Sequence, residues 1–171
     1  MLRQNHFLWT LGISPWIFYA LNYDIIQIIL LSFLTAFLSP FPDTDLKIVK
    51  YFKKLNLKTL YLTYPIYILI KLIFKHRTIT HTLFIPITLL YLQHRFLENE
   101  ILIALTISFS LALILHIFED SLTIAGIKLF WPIPITLRLA KFKTSSKLHH
   151  NILLIIGFIF IISFPYYYFI Y

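Results

Sequence analysis

The chain has 171 residues, of which 59% are hydrophobic and 13% charged, and its mean hydropathy is +0.81. Soluble domains carry about 25% charged residues, so this composition excludes an ordinary soluble enzyme and predicts an integral membrane protein. The formal net charge is +8 and cysteine is absent, which excludes disulfides and thiolate ligands and leaves nitrogen and oxygen to hold any metal.

The apolar runs predict an all-α integral membrane helix bundle, formed by a single domain that covers residues 1–171. About five transmembrane helices are expected, and in chain order they cover about 7–21, 25–42, 82–97, 101–118 and 152–171. Runs of about 20 apolar residues cross a bilayer as helices. The remaining apolar run contains Pro65 and is bordered by lysines, which is typical of an interfacial segment. We therefore expect an interfacial helical segment at about 46–75.

The distribution of basic residues predicts the orientation. If the interfacial segment does not cross, every lysine and arginine except Arg95 lies on one side of the membrane. The positive-inside rule makes that side cytoplasmic. We expect a multi-pass protein of the cell (inner or plasma) membrane with a cytoplasmic N-terminus. Membrane lipids are the expected partners, because the basic residues lie close to the spans; nucleic acid is not expected, and the sequence leaves the oligomeric state open.

Three polar motifs border the predicted spans. They are Pro42-Asp43-Thr44-Asp45, His76-Arg77-Thr78-Ile79-Thr80-His81 and His116-Ile117-Phe118-Glu119-Asp120. With five spans, all three motifs emerge at the same membrane surface. Ionisable groups are expensive to place beside hydrocarbon, so their accumulation there indicates a functional site. Chance polar residues between helices are the alternative.

Two of the motifs carry adjacent candidate ligands. Asp43 and Asp45 offer two carboxylates at a helix end, although Pro-Asp is also an ordinary turn pattern. His116 and Asp120 are four residues apart, so on a helix they share one face and can reach one ion. A hydrogen-bonded structural pair is the alternative there.

The histidine motif combines imidazoles with a fixed positive charge. His76 and His81 lie five residues apart, which on one helix places them on different faces. We expect His76 to lie in a lead-in segment and Thr80 to cap the helix that contains His81. Arg77 is suited to an anionic substrate group such as phosphate, although a lipid headgroup anchor is the alternative.

The order and spacing of the three motifs, followed by Gly126 and Trp131-Pro132, resembles the family of predicted membrane-bound metal-dependent hydrolases of bacterial inner membranes and archaea. The resemblance covers about residues 1–142. It implies a hydrolytic site for a divalent metal ion, with zinc expected, and its candidate ligands are Asp43, Asp45, His76, His81, His116 and Asp120. This chain has Leu46 where the family often has histidine, Thr78 where it has glycine, and Thr82 where it has serine.

We therefore expect a membrane-bound metal-dependent hydrolase at the cytoplasmic interface, acting on a phosphoester such as a phospholipid or lipid-linked substrate. The expected metal ligands are Asp43, Asp45, His81, His116 and Asp120, and the expected catalytic residues are His76 and Arg77. A metal or ion transporter is one alternative, which would place ionisable groups near the bilayer midplane. A non-enzymatic metal-binding scaffold is another, because Leu46 removes a possible ligand.

Overall fold

The computed structural model describes residues 3–43, 79–143 and 147–170. Five α-helices lie in these ranges: α1 (Arg3–Ala20), α2 (Ile25–Leu38), α3 (Phe84–Phe96), α4 (Glu100–Ser121) and α5 (Lys147–Ile170). Short 3₁₀ turns cover Phe41–Asp43 and Ile79–His81. The described ranges contain no β-strand, only two isolated β-bridges in the loop after α4. The prediction of an all-α bundle is confirmed.

Each predicted span overlaps one helix, but the helices differ in how well they suit a bilayer. Within the described residues, the stretches long and apolar enough to cross are Ile25–Asp43, Glu100–Ser121 and His150–Ile170. Helix α3 has only 13 residues, or about 20 Å of rise, which is short against a hydrocarbon core of about 30 Å. Five crossings therefore stay a prediction. The expected interfacial segment, 46–75, lies outside the described residues.

Side-chain caps fix where the two central helices begin. Asp24 starts α2: its Oδ1 accepts from the backbone N–H of Gln27 at 2.9 Å, and the Gln27 side chain accepts from the N–H of Asp24 at 3.2 Å. Asn99 starts α4 by accepting from the backbone N–H groups of Ile101 and Leu102 at 3.0 and 3.1 Å. Such caps replace intrahelical partners that the first turn lacks.

The packing of the helices brings their polar ends together. Helices α2 and α4 pack against each other, and residues near their capped starts line one shared groove, so the two helices run in the same direction. Their other ends carry Asp43 and Asp120. Helix α1 packs on α2 and α4 with His6 at this same end, and α3 packs on α4 after the turn that contains His81.

Two of the chain's three glycines hold the last helix against the first. A Cβ on Gly12 of α1 would lie 2.6 Å from the carbonyl oxygen of Gly157 in α5, and a Cβ on Gly157 would lie 3.0 Å from the Leu8 carbonyl oxygen. Small residues let helix backbones approach this closely in membrane proteins. Aromatic contacts continue the interface, with the Trp16 ring centroid 5.4 Å from that of Phe164. The close crossing explains how α5 joins the bundle.

We expect Gly12→Ala to lower the free energy of unfolding in detergent by about 1–3 kcal/mol, because the added methyl meets backbone atoms that no rotamer change can move. Without that clash Gly12→Ala would raise the free energy of unfolding, since alanine stabilises a helix by about 1 kcal/mol relative to glycine. Thermal or denaturant unfolding followed by helical circular dichroism measures the change. Ala20→Val, at the exposed end of the same helix, is the control. Unchanged or increased stability of Gly12→Ala would contradict the crossing.

Candidate metal centre

Four predicted ligands from three separate segments meet at the polar end of the bundle. Asp43 ends the 3₁₀ turn after α2, His81 ends the 3₁₀ turn before α3, and His116 and Asp120 lie in the last part of α4. One ligand atom from each residue lies within 4.8 Å of the others. His81, His116 and Asp120 are fully buried, so the cluster is not a chance group of surface charges. Such a set can hold a metal ion.

The interatomic distances fit a cation with nitrogen and oxygen ligands. The Nε2 atoms of His81 and His116 are 3.2 Å apart, and Asp43 Oδ1 lies 3.8 Å from each of them. Asp120 Oδ2 lies 3.6 Å from His81 Nε2 and 3.9 Å from His116 Nε2. A tetrahedron with metal–ligand distances of about 2.0–2.1 Å has edges of about 3.3 Å. Inward movements of a few tenths of an ångström would bring the four atoms to bonding distance.

The spacing of the α4 pair explains its contribution. His116 and Asp120 occupy positions i and i+4, and their Nε2 and Oδ2 atoms lie 3.9 Å apart on one face of the helix, as the sequence predicts. The helix ends immediately afterwards, where Thr123 donates from Oγ1 and from its backbone N–H to the Asp120 carbonyl oxygen at 2.8 and 3.1 Å. These bonds fix the last turn, and with it the direction of the Asp120 side chain.

Thr80 orients His81 rather than capping a helix, so the capping prediction is wrong. Thr80 Oγ1 lies 2.8 Å from His81 Nδ1, which leaves the other ring nitrogen facing the cluster. Helix α3 begins only at Phe84. The intervening residues are held elsewhere, because Thr82 Oγ1 and the Leu83 N–H both donate to the Leu129 carbonyl oxygen, at 2.7 and 3.0 Å. This connection ties the His81 turn to the loop after α4.

Two residues beside the cluster were not among the site residues predicted from the sequence. His6 of α1 and Glu119 of α4 have fully buried side chains, with His6 Nδ1 2.6 Å from Glu119 Oε2. The His6 ring also stacks on that of His116, at a centroid separation of 4.0 Å and an interplanar angle of 22°. Glu119 lies inside a quoted motif and His6 precedes the first predicted span. Nothing in their local spacing links the two residues, because the pairing joins different helices.

Three predicted site residues cannot be compared with this geometry. Asp45, His76 and Arg77 lie outside the described residues, so their assignment as a ligand and two catalytic groups stays a prediction.

Comparison with known proteins gives one family. The family model described as YdjM inner membrane protein matches residues 1–170. No curated protein and no solved structure matches the chain. The family match agrees with the apolar composition and with the helices long enough to span a bilayer. Because the match covers nearly the whole chain, this protein belongs to the YdjM inner membrane protein family.

Proposed function

We propose that this protein is a membrane-bound metal-dependent hydrolase acting at the cytoplasmic membrane surface. The observation that carries the proposal is the convergence of Asp43, His81, His116 and Asp120 at one end of an apolar bundle. Ionisable groups in such a setting are strongly destabilising unless they face compensating charge. A divalent cation would supply that charge, and a cation that also binds water can activate that water for hydrolysis.

Zinc is the metal that we propose. Imidazole nitrogen and carboxylate oxygen both suit zinc, and the chain offers no thiolate. A bound divalent cation lowers the pKa of a coordinated water to about 7 and stabilises negative charge on a phosphoester. Thr80 supports the centre by holding His81 through its second ring nitrogen, an arrangement that fixes both the ring orientation and the tautomer.

Asp45, His76 and Arg77 complete the proposal. Asp45 is the fifth expected ligand, two residues after Asp43. Arg77 precedes His81 by four residues and supplies a guanidinium that binds the phosphate oxygens. His76 donates a proton to the leaving-group oxygen of the phosphoester. These roles require the segment before the His81 turn to lie against the cluster.

The surroundings of the centre favour an amphiphilic substrate. A groove of about 330 Å³ begins at Thr82, the residue after His81, and continues along α3. Its other lining residues are Phe84, Ile85, Thr88, Leu89 and Trp131. This mostly apolar surface suits the hydrocarbon chain of a phospholipid or lipid-linked phosphoester, while the phosphate occupies the metal centre.

Two alternatives predict different behaviour of the same residues. A transporter needs ionisable groups near the middle of the membrane with access from both sides, whereas the cluster lies at the ends of α2 and α4. A non-enzymatic metal-binding scaffold would bind the cation without turning over any phosphoester. Metal content combined with a phosphoester screen therefore separates the three functions.

We expect His81→Ala and His116→Ala to abolish retention of zinc during purification at neutral pH without chelator. Loss of one of four ligands lowers affinity by at least about 100-fold, since even the loss of a group behind a ligand costs 10- to 100-fold. Elemental analysis of the detergent-purified protein measures the metal. His94→Ala, exposed near the end of α3, is the matched control and should retain the wild-type content.

The same preparations test catalysis. The wild-type protein should hydrolyse a phospholipid or a chromogenic phosphodiester in mixed micelles, and both site variants should not. Unchanged metal content in His116→Ala would contradict the proposed metal centre, and the proposed hydrolase function with it. Metal without hydrolysis across lipid and soluble phosphoesters would favour the scaffold.

The orientation is tested with single cysteines, because the chain contains none. We expect Lys54→Cys to react with a membrane-impermeant maleimide only from the cytoplasmic side and Glu98→Cys only from the other side. Sealed spheroplasts expose the outer side of the membrane to the reagent, and inverted vesicles expose the cytoplasmic side. Labelling of both positions from the same side would contradict the five-span topology and the cytoplasmic position of the site.

A further inference from the structure

His6 and Glu119 form a second buried pair next to the four-residue centre. Their side chains have no exposed surface, and His6 Nδ1 lies 2.6 Å from Glu119 Oε2. Neither atom makes a hydrogen bond of accepted geometry within the described ranges, so the pair is a close contact between an imidazole and a carboxylate. When Nδ1 carries the ring proton, that proton faces Glu119 and the Nε2 lone pair is available.

The available nitrogen faces the metal centre. His6 Nε2 lies 3.8 Å from Asp43 Oδ2 and has no hydrogen-bond partner in the described ranges. A buried polar atom without a partner is costly to maintain. Ligating histidines commonly have a carboxylate at their second ring nitrogen, and Glu119 lies next to His6 Nδ1. Such a geometry would suit a metal ligand, and a cation between His6 Nε2 and Asp43 Oδ2 would have one nitrogen and one oxygen donor.

Asp43 presents a different oxygen to each side. Its Oδ1 lies 3.8 Å from both His81 Nε2 and His116 Nε2, whereas its Oδ2 lies 3.8 Å from His6 Nε2. The stacked rings of His6 and His116 are 4.0 Å apart. Asp43 is thus placed as a bridging carboxylate.

We propose that this protein has a second divalent-cation position, bound by His6 Nε2 and Asp43 Oδ2, with Glu119 as its positioning residue. The inference rests on the proposed metal centre and gives it a second cation. The first position has four candidate protein ligands among the described residues, with Asp45 as the proposed fifth. The second has two ligands among the described residues, so it leaves room for water and a substrate oxygen.

The charges at the site agree with two cations. Asp43, Glu119 and Asp120 carry three negative charges when ionised, one more than a single divalent cation neutralises. A second divalent cation leaves one positive charge, which attracts an anionic phosphoester. The competing arrangement is a direct His6–Glu119 pair that binds no cation, so that the site holds only one.

Counting cations separates the two arrangements. The full chain in detergent micelles is loaded with Zn²⁺, freed of excess metal and measured by elemental analysis against protein concentration. The wild-type protein and His94→Ala should each bind two ions per chain. His6→Ala should bind one, and His6→Gln, which can retain a contact with Glu119, should also bind one. Glu119→Gln should weaken the second position by about 10- to 100-fold and leave the first unchanged.

Loading with Mn²⁺ supplies an independent readout. Two ions that share the Asp43 carboxylate should give the electron paramagnetic resonance spectrum of a coupled pair, and His6→Ala should give that of an isolated ion. If the wild-type chain binds only one ion, the second position is overturned and the proposed function is left intact. This holds even if His6→Ala changes the affinity for that ion. No bound ion in the wild-type protein would overturn both. Helical circular dichroism of each variant verifies folding.

Discussion

The burial of carboxylates at the polar end of the bundle is the constraint on which the rest of the structure depends. Glu119 and Asp120 are fully buried, and the Asp43 side chain is 11% exposed. Ionised carboxylates in such surroundings are strongly destabilising unless positive charge or hydrogen-bond donors face them. The groups that face them are the imidazoles of His6, His81 and His116. A divalent cation held between the rings and the carboxylates, as we propose, would supply the positive charge that such carboxylates need.

The helix bundle acts as the frame that brings these groups to one place. Helices α2 and α4 run in the same direction from their capped starts at Asp24 and Asn99, and their opposite ends carry the acidic candidate ligands. The Gly12 and Gly157 crossing holds α1 against α5, and α1 in turn carries His6. The position of His6 beside the cluster thus depends on backbone packing further along α1.

Local sequence patterns predicted the parts of this arrangement that local geometry determines. The four-residue spacing of His116 and Asp120 predicted one shared face, and the apolar runs predicted each helix to within a few residues at most ends. The expected cap of α3 was wrong, because Thr82 and Leu83 donate hydrogen bonds to the Leu129 carbonyl oxygen and the helix begins after them, at Phe84.

Contacts between distant segments were beyond the reach of those patterns. The pairing of His6 with Glu119 depends on how α1 crosses α4, and no spacing within either helix encodes it. The packing of α5 could likewise not be predicted, because it depends on the contact between Gly12 and Gly157 on different helices. The convergence of the motifs could be predicted because topology alone places helix ends on a common side.

X-ray absorption at the zinc edge of the purified, metal-loaded protein tests the central claim most directly. The account predicts nitrogen and oxygen neighbours at about 2.0–2.2 Å, together with the outer-shell scattering of imidazole rings from His81 and His116. A spectrum of oxygen neighbours alone, as for a hydrated ion at the protein surface, would contradict a metal centre built from these histidines.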